Sequence, residues 1–351
     1  MRKTLLTIIT ILCYANTVLA QGRIKVILDN DFAGDPDGLF ALAQLVESPS
    51  VDIRAIIGSH LHQGENWTAK GKPSATTAVE NANTLLSMMG KEGKYKVAEG
   101  SNTALCDTRT PIRTAATDVI IKEAMECSPR NPLYVLCGGG LTEIASAWML
   151  NKDIVRRIIL VWIGGAEYPG HTPPPGAKLE YNTTIDTKAA QVIFNQSDIS
   201  LWQIPRNAYR QCLISRSVLR ARTTGNNSMT KQKGTEAKRK SSVAKQKEFV
   251  VKQKSSVAEY LLSLLDSHIG PDKPAECYVL GDSPLVLISA LQSNWERDAC
   301  SSGYSFQPRP TVNDKGEYNF GDTKRSAVKV FDRLDTYLMF EDMFAKLNLP
   351  Q

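Results

Sequence analysis

The chain has 351 residues, 42% of them hydrophobic, and a formal charge of +6, which is enough for one large α/β unit or two small ones. The charge is unevenly spread: residues 216–254 hold twelve Lys or Arg and two Glu, about +10, which leaves the rest slightly acidic. That excludes the evenly basic face of a nucleic-acid-binding domain, and no stretch after residue 20 is long and apolar enough to span a membrane.

Residues 1–20 read as a secretory signal peptide. Arg2 and Lys3 precede an apolar stretch from Leu5 to Leu12, and Val18-Leu19-Ala20 forms a small-residue cleavage site before Gln21. The expected mature chain, 21–351, is therefore secreted or periplasmic. It keeps Cys106, Cys127, Cys137, Cys212, Cys277 and Cys300, whose wide and irregular spacing contains no zinc-type pair. Cys137 and Cys277 lie in apolar runs, so buried free thiols are expected there.

The apolar run Ile24-Lys25-Val26-Ile27-Leu28 predicts a buried strand, and residues 39–46 predict a helix packed on a sheet. Between them lies Asp29-Asn30-Asp31-Phe32-Ala33-Gly34-Asp35-Pro36-Asp37-Gly38. Four carboxylates in one tight loop repel one another unless a cation or a proton offsets them. A hard divalent cation such as calcium, held by carboxylate and carbonyl oxygens, is the simplest counter-charge. A solvated acidic turn is the plain alternative. An EF-hand loop is excluded by Ala33 and Phe40 at ligand positions. The Asp-x-Asp start of haloacid dehalogenase phosphatases fits poorly, because the small hydroxyl or Val does not follow.

A second strand is predicted at 51–58, followed by a polar loop with His60 and His62, which have no third His or Cys nearby to complete a metal site. Helices follow at 76–89 and 115–125, with strands at 94–98 and 133–137. Gly138-Gly139-Gly140 then opens a helix through Leu150. It lacks the third Gly of a dinucleotide fingerprint and the Lys of a P-loop, so it reads as a tight turn that lets backbone approach a ligand. Further expectations are a strand from 155 to 165, a Pro- and Gly-rich loop, Glu180-Tyr181-Asn182, an Asp186-capped helix over 187–195 and a strand at 200–204. The basic segment 216–254 reads as a solvated insertion, with a lid or an electrostatic patch at a pocket mouth as the functional alternative. A strand and loop at 278–282, a helix at 284–291, a strand at 327–331 and a helix at 336–347 complete the chain.

This alternation predicts an α/β fold with a mostly parallel central sheet and helices on both faces. Ligands bind such sheets beyond the C-terminal strand ends, where the loops at Asp31, Gly138, Gly164 and Asp282 should converge.

Five segments, in order, resemble the inosine/uridine-preferring nucleoside hydrolases: Asp29-Asn30-Asp31 with the following acids; Cys137-Gly138-Gly139-Gly140-Leu141-Thr142-Glu143; Trp162-Ile163-Gly164-Gly165; Glu180-Tyr181-Asn182 with Asp186; and Gly281-Asp282-Ser283-Pro284-Leu285. The resemblance implies a Rossmann-like core and hydrolysis of the N-glycosidic bond of ribonucleosides or related ribosides with one bound calcium ion. It implies metal ligands among Asp31, Asp35, Asp37, the Cys137 carbonyl and Asp282, with Asp31 as the catalytic base. Asp35, Asp37, Glu180 and Asn182 would meet substrate. The implied partner is a small nucleoside or riboside, not a nucleic acid or membrane, and homo-oligomerisation is left open. Two departures stand out. The consecutive Asp pair of the family is absent. Aligned from Asp31, Asp35 takes its first place and Pro36 its second; aligned from the helix, Asp37 takes the first, Gly38 the second, and two residues are inserted before them. Asp35 and Asp37 therefore compete for its roles. Gly281 stands where many members carry a His that protonates the departing base. The competing function is a non-catalytic sugar- or nucleoside-binding protein on the same fold.

Overall fold

The structure is a computed structural model that describes residues 22–223, 257–270, 274–292, 301–321 and 324–348. The predicted signal peptide and all but the first eight residues of the basic insertion lie outside the described residues.

The core is an eight-stranded sheet made of β1 (Ile24–Asn30), β2 (Val51–Gly58), β3 (Val97–Glu99), β4 (Leu133–Cys137), β5 (Ile158–Ile163), β6 (Ser200–Ile204), β9 (Gly303–Gln307) and β12 (Val328–Arg333). Two ribbons stand apart from it: β7 (Leu213–Ser215) with β8 (Cys277–Val279), and β10 (Thr311–Val312) with β11 (Tyr318–Asn319). The order in the main sheet is β3-β2-β1-β4-β5-β6-β12-β9. All neighbours there are parallel except β12 and β9. The central strands are apolar on both faces because helices cover both. Val26, Leu28, Leu136, Val161 and Ile163 face one apolar cluster, while Ile27, Val135, Leu160 and Trp162 face the other. This is the period-two alternation of a strand.

The first cluster contains α1 (Asp37–Val46), α2 (Ser74–Met88), α9 (257–269) and α11 (Thr336–Asn348); the second contains α3 (Ala115–Met125), α4 (Thr142–Leu150) and α6 (Thr187–Gln191). Helix α1 is buried along its whole length. Its one polar interior residue, Gln44, donates to Met339 O at 3.2 Å and Asp342 Oδ2 at 2.8 Å on α11. Between α4 and the remaining helices lie the short α5 (Tyr181–Ile185), α7 (Arg206–Tyr209) and α8 (Arg216–Thr223), and α10 (Pro284–Val286) precedes α11. Among the described residues no helix is long and apolar enough to cross a membrane.

Several expectations need correction. The stretch 155–157 is not strand: residues Lys152–Arg156 form a 3₁₀ turn capped by the Asn151 side chain, and β5 starts at Ile158. The helix after Asp186 passes into a π turn at Val192–Gln196, and that after Pro284 into one at Leu287–Leu291. The described start of the basic insertion is a helix solvated on most of its surface, with Ser217, Val218, Arg220, Ala221 and Arg222 exposed, but α8 anchors itself by burying Leu219 and Thr223. The strand before Asp282, β8, lies outside the main sheet and pairs antiparallel with β7. The place beside β6 is taken by β12 instead, and Cys277, on this small ribbon, is exposed. Cys137 is buried as expected.

The chain leaves β1 toward β2 and β3 on one side and returns to β4 on the other. Strand order therefore reverses between β1 and β4, and a crevice opens above their C-terminal ends. The acidic loop follows β1 and the glycine turn follows β4, so both border that crevice.

Candidate active site

Asp31 is the first residue beyond β1, and its carbonyl accepts Gly34 N at 2.8 Å to close a turn. Pro36 ends the loop, its carbonyl accepting the Leu39 and Phe40 amides of α1. Asp37 is the first helical residue, where the positive end of the helix favours a carboxylate. It is buried, with Oδ1 accepting Gly38 N at 2.8 Å and Oδ2 accepting Asp282 N at 3.1 Å. Asp35 is half-buried nearer the rim and accepts from the Tyr278 hydroxyl.

Asp282 reaches the crevice on the β7–β8 ribbon, anchored by Leu280 N donating to Cys212 O at 3.0 Å. Asn30 Nδ2 donates to Asp282 Oδ2 at 2.7 Å. The Asn30 amide lies between two glycines. A Cβ on Gly138 would come within 2.2 Å of Nδ2, and one on Gly38 within 2.2 Å of Oδ1. Gly38, the place of the second Asp when the helix sets the alignment, is thus required by the amide packed against it.

These groups border a cavity of about 330 Å³. Asp31, Asp35, Asp37 and Asp282 line it together with Gly138, Glu180 and Asn182. Of the sequence-predicted site residues, only Cys137 is not in the lining. It ends β4 one residue before Gly138, with its thiol donating toward Gly140 O at 3.2 Å. Burial, then the charges of Asp282 and Asp35, hold the Asp31 carboxyl well above the usual range. Burial followed by Asp282 and Asp35 does the same to Asp37. Burial pushes Asp282 up to about 8 against the opposing hydrogen bond from Asn30.

Such a set asks for a cation, and its chemistry fits a hard one, since every side-chain donor is oxygen. The oxygens share a cavity without closing into a cage: among the described residues no three Asp, Glu, His or Cys side chains form a ready-made metal cluster. Two of the four carboxylates are already aligned by backbone and amide donors, so a cation would complete an arrangement partly organised in advance.

Glu180 plays a different part from that of an open substrate ligand. Its Oε2 accepts Gly165 N at 2.7 Å, Thr183 N at 2.9 Å and Thr183 Oγ1 at 2.8 Å; its Oε1 accepts Asn182 N at 3.2 Å and Tyr209 OH at 3.1 Å. It caps α5 and pins the Gly164-Gly165 turn. Asn182 donates through Nδ2 to Ile163 O at 2.8 Å, and its side-chain oxygen accepts no hydrogen bond among the described residues.

Sequence reasoning missed Trp67, Tyr181 and Tyr209, which also line the cavity, and Tyr278, which holds Asp35. A signal existed for two of them. Trp67 lies in the loop after β2 and Tyr209 ends α7, the short helix that follows β6, so both belong to segments that leave C-terminal strand ends.

The family sequence pattern described as inosine-uridine preferring nucleoside hydrolase matches residues 26–336, which contain every residue of this cavity. The chain belongs to this family. An inosine-uridine preferring nucleoside hydrolase from Leishmania major is 36% identical over 83 residues, a match that spans 23% of this chain and 25% of that relative. The fold is shared far more widely. A plant nucleoside hydrolase superimposes with a TM-score of 0.64 at 18% identity, over 94% of this chain and 100% of the other. A purine-preferring ribonucleoside hydrolase from Gardnerella vaginalis gives 0.66 at 17% identity, over 92% and 98%. The family match thus extends to a site whose acidic loop has its own arrangement: Asp35 and Asp37 flank a proline, and Asn30 fills the space beside Gly38.

Proposed function

We propose that this chain is a calcium-dependent, exported hydrolase that cleaves the N-glycosidic bond of ribonucleosides or related ribosides, giving ribose and free base. The observation that carries the reading is the set of four clustered carboxylates beside Asn182, in a cavity at the strand-order reversal of a nucleoside hydrolase fold.

Asp31, Asp37 and Asp282, the three most buried of the set, would hold the cation with the Cys137 carbonyl. Calcium when bound would neutralise these acids, orient ribose hydroxyls and make water a better nucleophile. Asp31 takes a proton from the attacking water as the oxygen approaches the anomeric carbon. Asp35, on the rim, and the Asn182 carbonyl oxygen accept from ribose hydroxyls. Asp35 and its neighbours also stabilise the positive charge that grows on the sugar as the C–N bond lengthens. Glu180 fixes the Asn182 backbone and the Gly165 turn. The partly buried rings of Tyr181 and Tyr209 keep water from that wall.

The second reading, a binding protein that does not turn over, is favoured by Gly281, which offers no proton to a departing base. The deciding assay is release of free base from purine and pyrimidine ribonucleosides by residues 21–351, with calcium and after chelation, Asp31→Ala serving as the blank. Chelator-sensitive release absent from the blank supports the hydrolase. Nucleoside binding without release supports the binding protein.

A further inference from the structure

A nucleobase leaves as an unstable anion unless it gains a proton as the glycosidic bond breaks, so a hydrolase needs a donor at the base side of its cavity. The tyrosines around the cavity are committed. Tyr181 OH donates to Glu65 Oε2 at 2.7 Å, Tyr209 OH to Glu180 Oε1 at 3.1 Å, and Tyr278 OH to Asp35.

The chain has four histidines. His60 is buried, with Nδ1 on Leu61 O at 2.6 Å and Nε2 on Thr142 Oγ1 at 2.9 Å. His62 Nε2 meets Thr184 Oγ1 at 3.2 Å. That hydroxyl already gives its own proton to Tyr181 O at 2.8 Å, so it takes the Nε2–H of His62, whose ring also packs edge-on against Tyr181 of the cavity wall with centroids 4.8 Å apart. His171 sits on the exposed loop after Tyr168 and makes no ring contact with a cavity residue among the described residues. His268 differs from all three. It is exposed near the end of α9, its ring centroid 5.6 Å from that of Trp67 and 5.9 Å from that of Tyr278. Trp67 lines the cavity and Tyr278 holds the lining carboxylate of Asp35, so His268 lies beside the cavity, packed against one of its lining rings and against the ring that fixes one of its acids. Its imidazole makes no hydrogen bond among the described residues.

We propose that His268 is the leaving-group acid of this site. The proposal rests on the hydrolase reading above. As the C1′–N bond breaks, its electron pair passes to the base nitrogen, and the base takes a proton from the His268 imidazolium. Water supplies the new C1′–O bond and gives its proton to Asp31. Afterwards Asp31 releases that proton to solvent and His268 recovers one, so the sum is nucleoside plus water to ribose plus base. The charged and titratable groups around the ring are Glu65, bonded to Trp67 Nε1 at 3.2 Å, Asp35 behind Tyr278, and Asp266 on α9, paired to Arg216 and Arg220.

The test compares His268→Gln with the unaltered chain in calcium on inosine, uridine and p-nitrophenyl riboside, whose leaving group departs without protonation. The expected result is a fall of about 10²–10⁴-fold in kcat on the nucleosides. Hydrolysis of the nitrophenyl riboside should change less than about threefold. The loss of rate at high pH, where a general acid has given up its proton, should disappear from the nucleoside profile. Equal losses on both substrate types, or none on either, would overturn the proposal. So would a selective nucleoside loss in His62→Gln instead. An unaltered chain inactive on nucleosides and nitrophenyl riboside alike would overturn the hydrolase reading and this proposal with it. An active unaltered chain with an unselective His268→Gln variant would overturn this proposal alone.

Discussion

Gly138→Ala is the sharpest probe of the site, because it adds one methyl group where three groups meet. The new Cβ would lie 2.2 Å from Asn30 Nδ2 and 2.7 Å from Asp282 Oδ2. Asn30 is buried and cannot turn aside freely, since its Oδ1 already lies where a Cβ on Gly38 would be. Either the Asn30–Asp282 hydrogen bond breaks or the β4 turn moves. Overpacking costs about 1–3 kcal/mol, and losing a buried hydrogen bond about 0.5–1.5, so the expected loss is about 2–4 kcal/mol. Denaturant unfolding without calcium reads the stability change, and calorimetric calcium titration reads the displacement of Asp282. In the Asn30→Ala background the hydrogen bond is already gone, so adding Gly138→Ala should cost about 1–2 kcal/mol less than alone. The residual clash with Asp282 keeps it from vanishing. A Gly138→Ala protein that unfolds like the parent and binds calcium with unchanged affinity would refute the close packing on which this account depends.

Other consequences are equally open to measurement. Asp31→Asn should lower base release by about 10²–10⁴-fold while nucleoside still binds, as measured by single-turnover kinetics and equilibrium dialysis. If calcium binds the folded chain alone, calcium at 100 times its Kd should add about 2.7 kcal/mol to stability, seen as a chelator-reversible rise in Tm. Glu167 is partly buried, which raises its carboxyl, but the hydrogen bonds from Arg206, a backbone hydrogen bond and the charges of Arg206 and Arg210 together outweigh burial and bring it below the usual glutamate range. Its stabilising effect is therefore present above the unfolded glutamate pKa and is lost as pH falls through the lower folded value. Glu167→Gln should flatten that part of the acid limb in a plot of stability against pH. Arg309 is fully buried and donates to the carbonyls of Ile193, Ser197, Ile199 and Ser326. Arg309→Leu strands those acceptors at the entry to β6 and should cost about 3–5 kcal/mol by denaturant titration, without altering calcium affinity.

The sheet was legible because its central strands are buried on both faces and read as unbroken apolar runs. Strands 133–137 and 200–204 and helix 115–125 fall where the pattern places them. Legibility fades where burial does. Strand β9 carries Tyr304 and Phe306 on its exposed side, so its apolar residues point the wrong way for a pattern that equates apolar with inside. For β8 the composition of a buried strand is present, yet only partner choice distinguishes a ribbon strand from a sheet strand. That choice is a long-range fact: β12, nearly fifty residues later, fills the place beside β6.

The acidic loop shows the same limit at atomic scale. From the sequence, Asp35 and Asp37 were interchangeable, since spacing from Asp31 and spacing from the helix gave different alignments. The structure separates them by environment: Asp37 is buried at the α1 terminus and tied to the Asp282 backbone, while Asp35 sits at the rim under Tyr278. The proline between the two acids therefore does more than lengthen a turn. It divides the pair into a floor carboxylate suited to a cation and a rim carboxylate suited to a ligand that comes and goes. Asn30 and Gly38 are complementary for the same reason, since any side chain at position 38 would need the space that the amide occupies. A carboxylate there could not coexist with Asn30 in this packing. Gly38→Asp should therefore bind calcium no better than the parent, and Gly38→Asp with Asn30→Ala should bind it more tightly than Gly38→Asp alone. Calorimetric titration of the two variants checks both halves of that statement, and a gain in affinity from Gly38→Asp by itself would show that the amide does not bar the position.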